Sequence, residues 1–376
     1  MRIGIEAQRI FRSKKHGMDI VALNSILALQ QIDKVNEYFI FTNEQEDTNC
    51  LQETENFKII RNSGHSYPVW EQIILPLLIK KHHIDVLHCT SNTAPLFVSV
   101  PTIITLHDII YLENSPLKIK GTPYQKWGNF YRSKIVPMVL KKAKKVITVS
   151  EFEKNRISES IHFENNILDT IYNGVSEHFF IQSTDGQLSF AKYRYHLPDS
   201  FMFLLGNTDP KKNIARTLQA YDIYRKRVEN PVPLVIADFS NETLMKELQL
   251  NDINEDIIPL IHLIGYVQNS DLPFIYQLST AFLYPSTRES FGIPILEAMA
   301  CGIPVLTSNT ASMPEVAGDA ALYMNPFDIF DIAKNIIEIT ENKETRENLI
   351  AKGLKRVENF RWFKTAEKLI EVYKSF

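Results

Sequence analysis

Ala281-Phe-Leu-Tyr-Pro-Ser-Thr-Arg-Glu-Ser-Phe-Gly-Ile-Pro-Ile-Leu-Glu-Ala-Met-Ala-Cys-Gly-Ile-Pro-Val-Leu-Thr307 decides the fold. Residues 281–284 are apolar and aromatic-rich, which predicts a buried strand. Pro285 and the polar residues after it end that strand in a loop. Phe291-Gly292 then opens a helix over 292–301, and an apolar strand returns at 304–307. Strand, helix and strand, with no polar alternation inside the strands, predict a parallel sheet covered on both faces.

The same rhythm extends outward. Strands are expected at 201–205, 234–237 and 262–264, with helices at 214–228, 240–249, 271–277 and 329–341. Earlier strands fall at 2–7, 38–42, 57–60, 85–89, 101–106, 145–149 and 168–171, with helices at 18–31, 69–81, 124–142 and 151–160. Residues 181–200 interrupt the pattern with Asp185-Gly186 and Pro198-Asp199, both turn signals. The fold class is therefore α/β, with two Rossmann-like doubly wound domains facing a central cleft. The first domain is expected over 1–182, a linker over 183–200 and the second domain over 201–360. The segment 361–376 carries Ala366, Leu369, Ile370 and Tyr373 on one helical face, and is expected to pack back on the first domain.

The chain has 376 residues, 44% of them hydrophobic and 23% charged, enough for two buried cores. Lys+Arg 41 against Asp+Glu 44 leaves −3, so no overall basic field points to nucleic acid. Cys50, Cys89 and Cys301 form neither a disulfide framework nor a zinc-type pair. A charged start and the lack of a run of ~18 apolar residues lead to the expectation of a cytoplasmic protein.

Ligands of such sheets bind beyond the carboxyl ends of the strands, so the polar residues there carry the function. Glu289 lies in the loop after the 281–284 strand and Glu297 eight positions on, in the helix. In a helix that separation spans about 12 Å. It suits two carboxylates holding hydroxyls at opposite ends of one extended polar ligand, and is too wide for the roughly 5 Å pair of a retaining glycosidase. A plainer reading makes Glu289 a helix cap and Glu297 a surface charge. The helix start at Phe291 and Gly292 offers free backbone N–H groups, a natural anion site.

Taken together, these residues resemble the signature of glycosyltransferase family 4, the retaining enzymes of GT-B fold. Glu289-x7-Glu297 runs into Ala-Met-Ala-Cys-Gly-Ile-Pro-Val, and the likeness continues in Met313-Pro-Glu-Val-Ala-Gly-Asp-Ala-Ala-Leu322. It also covers Gly206-Asn-Thr-Asp-Pro-Lys-Lys-Asn213, Thr105-Leu-His-Asp108, Val149-Ser-Glu-Phe152 and Ile171-Tyr-Asn-Gly-Val175, in family order over nearly the whole chain.

The resemblance implies a hexosyltransferase. It would move a sugar from a nucleotide diphosphate sugar to a glycan or lipid-linked saccharide acceptor. On that basis Glu289 would hold donor-sugar hydroxyls, Glu297 the nucleotide ribose, and the amides around Phe291 and Gly292 the sugar–phosphate end. Lys212 would neutralise the leaving diphosphate. Many relatives carry an Arg near this Lys; here Lys211 and Arg288 are both open as the second cation. Gly17 matches the glycine loop that approaches the donor phosphates, a weak signal alone. His107, directly after the 101–106 strand, would hydrogen-bond the donor sugar or the incoming hydroxyl, with Asp108 ranked lower. No Asp-x-Asp occurs, so neither metal nor other cofactor is expected.

Between residues 114 and 150 there is no acid, but Lys118, Lys120, Lys126, Arg132, Lys134, Lys141, Lys142, Lys144 and Lys145, interleaved with Trp127, Phe130 and Tyr131. This suggests a surface for anionic lipid, hence peripheral binding at the inner face of a membrane. A solvated helix face is the alternative. Two rival functions remain at this level: a nucleotide-sugar epimerase of related fold, and an inactive relative serving as a binding or assembly protein.

Overall fold

The structure, a computed structural model, describes residues 1–376 except 14, 16, 44–45, 63, 114–122 and 164–166, and the side chains of 113 and 123–126. The chain forms two compact units, Met1–Gly174 with Trp362–Phe376, and Val175–Arg361.

In the first unit the strands are β1 (Arg2–Glu6), β2 (Glu37–Thr42), β3 (Phe57–Arg61), β4 (Val86–Cys89), β5 (Thr102–Thr105), β6 (Lys145–Thr148) and β7 (Leu168–Thr170). They form one parallel sheet in the order β3-β2-β1-β4-β5-β6-β7. The second unit holds β8 (Met202–Leu205), β9 (Leu234–Ala237), β10 (Ile261–Gly265), β11 (Ala281–Tyr284), β12 (Val305–Ser308) and β13 (Ala321–Met324). Its parallel order is β10-β9-β8-β11-β12-β13. The order reverses between β1 and β4 in one unit and between β8 and β11 in the other. Each reversal opens a crevice at the strand ends, because successive helices leave on opposite faces there.

Central strands such as β4, β5, β9 and β11 are buried along their whole length, as continuous apolar runs require. Leu218, Tyr221, Ile236, Leu283 and Ile336 belong to one core of the second unit. Trp70, Leu87, Ile104, Val136 and Val146 belong to one core of the first.

Several expectations need correction. Residues 183–200 are not a bare linker: Asp185–Arg194 is a helix. Thr184 accepts from the Gln187 amide while the Gln187 side chain accepts from the Thr184 amide. That reciprocal cap turns Asp185-Gly186 into the first turn of a helix. The boundary between the units falls at Gly174 and Val175, so the second unit begins earlier than residue 201. Strand β13 and the helix Lys343–Val357 were not expected. The first is only four residues long, and the second is charged on most faces, so neither shows a strong period. The helix expected at 69–81 contains a π-turn over Trp70–Ile74, with the Leu75 amide donating to the Trp70 carbonyl. It ends two residues before Pro76, which has no amide to continue an α-helical ladder.

Candidate active site

In the second unit, Gly206 directly follows β8. A Cβ there would lie 2.8 Å from Ile236 and 2.9 Å from the Ala237 carbonyl, so only glycine lets the strand end run this close to β9. The loop then folds on itself: Asn207 Oδ1 accepts from the Asp209 amide (2.8 Å) and Asp209 Oδ1 from the Lys211 amide (3.1 Å). Asn213 follows in the left-handed region at φ 60° and starts the helix Ile214–Arg225. Its buried amide donates to the Pro285 and Pro326 carbonyls at 3.2 and 2.7 Å. That side chain ties the loop after β8 to the loop after β11, across the point where strand order reverses.

The consequence is a lysine–glutamate pair. Lys212 Nζ donates to Glu289 Oε1 at 2.8 Å and to the Tyr284 hydroxyl at 3.4 Å. Lys211 Nζ stands 3.8 Å from Glu289 Oε2, and the Lys211 carbonyl accepts from the Thr287 amide at 2.8 Å. Burial alone would raise the Glu289 carboxyl. Lys212 and then Lys211 outweigh it, and the group lies below the usual carboxylate range. Glu289 is therefore an anion with one side facing two cations.

Gly292 caps the helix Ile293–Ala300 at φ 99°, a conformation that requires glycine. Ser312 donates to the Glu289 and Phe291 carbonyls at 2.8 and 2.9 Å, and Thr310 to the Thr287 carbonyl at 3.1 Å. These anchors after β12 hold the loop with its carbonyls occupied and the helix start beside Glu289. Arg288 and Phe291 lie in this same loop. Glu297 is not a free surface charge. Its Oε2 accepts from the Tyr276 hydroxyl at 3.2 Å, and burial pushes its carboxyl up to about 7.

His107 belongs to the first unit, two residues past β5, and is 5% exposed. Its amide donates to Asn92 Oδ1 at 2.7 Å and its Nε2 lies 2.9 Å from the Thr90 carbonyl. A carbonyl only accepts, so Nε2 carries the proton and Nδ1 is left as an acceptor. Burial lowers the pKa, which keeps the ring neutral. Gly17 is the first residue of the helix Gly17–Ile32, not a loop glycine. A Cβ there would meet nothing within 4 Å, so no crowding in the fold demands a glycine.

The basic stretch divides. Lys118 and Lys120, and the Lys126 side chain, lie outside the described residues. Trp127 and Phe130 are half exposed, Lys134 sits 5.9 Å over the Phe130 ring and Lys142 4.2 Å over Phe97. Lys145 is paired with Asp169, and Arg132 turns inward over Tyr111, so these two leave the surface set. Asn213, Tyr284, Tyr276, Thr310 and Ser312 were not singled out from the sequence, and only Asn213 carried a signal. Asparagine tolerates the left-handed region and often precedes helices. No helix among the described residues is long and apolar enough to cross a membrane. Among those residues no group of three or more His, Cys, Asp or Glu is placed to hold a metal ion.

Each unit is a doubly wound parallel sheet, and the second carries cations, an acid and a helix start at its reversal point, where open α/β sheets bind their ligands. Residues 17–179 match the model "Glycosyltransferase Family 4" and residues 188–356 match "Glycosyl transferases group 1". The chain belongs to glycosyltransferase family 4 and has the GT-B fold. It is 32% identical over 247 residues to the O-antigen chain mannosyltransferase B of Escherichia coli, covering 65% of this chain and 64% of that one. It is 29% identical over 272 residues to the serotype-specific mannosyltransferase WbdA of Escherichia coli, covering 72% of this chain and 33% of that one. The chain thus spans just under two thirds of the first relative and a third of the second. Among solved structures, Anabaena HepE in complex with UDP aligns at TM-score 0.74 and 16% identity, covering all of both chains. WaaG, a glycosyltransferase involved in lipopolysaccharide biosynthesis, aligns at 0.72 and 12% identity over 98% of this chain and 99% of that one.

Proposed function

We propose that the protein is a retaining, metal-independent glycosyltransferase that moves a hexose from a nucleotide diphosphate sugar to a glycan or lipid-linked saccharide. Mannose is the sugar its mannosyltransferase relatives favour. The observation that carries this reading is the Lys212–Glu289 pair at the reversal between β8 and β11. Lys212, Lys211 and the helix start at Gly292 take the diphosphate, and Glu289 accepts from hydroxyls of the attached sugar. Glu297 with Tyr276 takes the ribose. His107 Nδ1 accepts a hydrogen bond from a hydroxyl of the sugar or the acceptor.

In the transfer, the bond from the anomeric carbon to the phosphate oxygen breaks and a bond from the acceptor oxygen forms on the same face. The acceptor proton passes to the departing diphosphate. Lys212 matters most at that moment, because negative charge grows on the leaving group as the bond stretches. The leaving charge is met by side-chain cations and amides, so chelators are expected to leave turnover unchanged. Peripheral contact with anionic lipid, through the exposed aromatic and lysine residues around Trp127, would suit a lipid-linked acceptor.

Transfer of labelled mannose from nucleotide mannose, with the product anomer read by NMR, tests the reading. Lys212→Ala is expected to lower kcat about a hundredfold or more, the size of comparable electrostatic losses. A loss under threefold, or a product of inverted configuration, contradicts it.

A further inference from the structure

The first unit has its own reversal point, between β1 and β4, and a set of polar groups there takes no part in donor handling. Arg9 follows β1. Its guanidinium carbon lies 5.8 Å from the centre of the Tyr67 ring, and its Nε is buried with no partner among the described residues. Arg132, on the helix Pro123–Leu140, lies 5.8 Å from the centre of the Tyr111 ring and donates to the Asn129 side chain. Among the described residues neither arginine has a carboxylate within ion-pair distance.

The two arginines belong to one assembly. Glu71 accepts from the Tyr67 hydroxyl at 2.8 Å and the Tyr131 hydroxyl at 2.6 Å, and those rings meet edge to face at 6.0 Å. Thr93 and Gln72 donate to the same carboxylate, so Glu71 is saturated. Arg132 is the next residue after Tyr131. Beneath Arg132, the Tyr111 hydroxyl has no partner among the described residues, although Tyr111 is only 5% exposed. Buried polar groups are normally satisfied, and a donor left open beside two guanidiniums that have no carboxylate partner among the described residues lacks an acceptor. Arg132 also feels the charge of Arg9, after desolvation the largest influence lowering its pKa. Asp108 acts on Arg132 in the opposite sense, while Glu6, which senses Arg9, is pushed up to about 7 by burial and by Glu71.

We propose that Arg9, Arg132 and the Tyr111 hydroxyl form a subsite for a phosphoryl group of the acceptor, the diphosphate that joins a saccharide to its lipid. A phosphoryl group accepts only, carries charge and suits guanidinium forks. The lipid source is favoured because the helix that supplies Arg132 also exposes Trp127, Phe130 and Lys134. The assignment rests on the glycosyl-transfer reading and names its acceptor class.

The test is isothermal titration of the full chain, first saturated with nucleoside diphosphate so that Lys211 and Lys212 are occupied. The probes are geranyl diphosphate, inorganic pyrophosphate and phosphatidylglycerol vesicles. Geranyl diphosphate is expected to bind, about tenfold or more weaker in Arg9→Gln and Arg132→Gln, with Arg132→Lys recovering part of the loss. Tyr111→Phe is the decisive variant. It removes only an unpaired hydroxyl, so the melting temperature holds while affinity falls about three- to tenfold.

Equal binding by all variants overturns the subsite. Pyrophosphate binding as tightly as geranyl diphosphate, or vesicles displacing the probe, overturns its assignment to a lipid diphosphate. These outcomes are independent of sugar transfer. A protein that transfers sugar through Lys212 but ignores geranyl diphosphate keeps the function and loses the subsite. One that binds the probe but never uses a nucleotide sugar does the reverse.

Discussion

Glu297 shows how one side chain couples the site to stability. Burial raises its carboxyl from 4.5 to about 7. The folded chain therefore keeps its proton where the unfolded chain has lost it, so stability is greatest at low pH and falls as pH rises from about 4.5 to about 7. Two and a half units correspond to a penalty of up to about 3 kcal/mol above pH 7. Glu297→Gln keeps an acceptor for Tyr276 and removes the titration. It is expected to change stability little at pH 4.5 and to raise it at pH 8, read from urea midpoints; no gain at pH 8 would contradict the buried carboxyl. Glu289 goes the other way, because two lysines outweigh its burial. Glu289 and Glu297 could be found in the sequence from the loop and helix that follow an apolar strand, and Lys212 from the family resemblance. What each does depends on partners far along the chain. The pairing of Lys212 with Glu289 spans 77 positions, and the tautomer of His107 is set by a carbonyl 17 positions earlier. Asn213, which brings the first pair together, works through two carbonyls 72 and 113 positions away. Long-range contacts of this kind leave no periodic trace.

At the scale of elements, strong apolar periods gave the strands and most helices, and weak ones hid the rest. The helix Asp185–Arg194 is announced only by Thr184 and Gln187 three residues apart, and its body is too polar to show a face. The last helix, Trp362–Tyr373, does show one: Ala366, Leu369 and Tyr373 are buried. It packs against Gly17–Ile32 and is fixed by polar contacts as well. Thr365 donates to the Tyr172 carbonyl at 2.8 Å, and the Tyr373 hydroxyl meets His88 Nδ1 at 2.7 Å. The other His88 nitrogen meets the Thr105 hydroxyl at 2.7 Å, so the ring is held neutral between two hydroxyls, and burial with nearby His107 lowers its pKa to about 3. Tyr373→Phe leaves a buried imidazole nitrogen without a partner. The expected cost is about 1–3 kcal/mol, seen as a lower melting temperature. An unchanged midpoint would mean that packing alone holds this helix.

For the whole molecule, net charge is a poor guide and its distribution a better one. The chain carries −3 overall, yet the stretch 114–150 has nine bases and no acid. The structure sorts that stretch into three uses: Arg132 points inward, Lys145 pairs with Asp169, and Lys134 and Lys142 stand over exposed aromatic rings. Val69, Ile73 and Leu77 add an exposed apolar stripe, spaced four residues apart, in the same unit. Exposed apolar side chains interleaved with lysine match the physics of an anionic bilayer surface, where rings enter the headgroup layer and each lysine contributes about 1 kcal/mol. The protein is therefore expected to pellet with phosphatidylglycerol vesicles at low salt and to be released by salt as the charges are screened. Trp127→Ser together with Phe130→Ser should reduce pelleting at every salt concentration. Lys134→Gln together with Lys142→Gln should reduce it at low salt and matter less at high salt. Failure of the unaltered protein to pellet at low salt would leave these residues an ordinary solvated face.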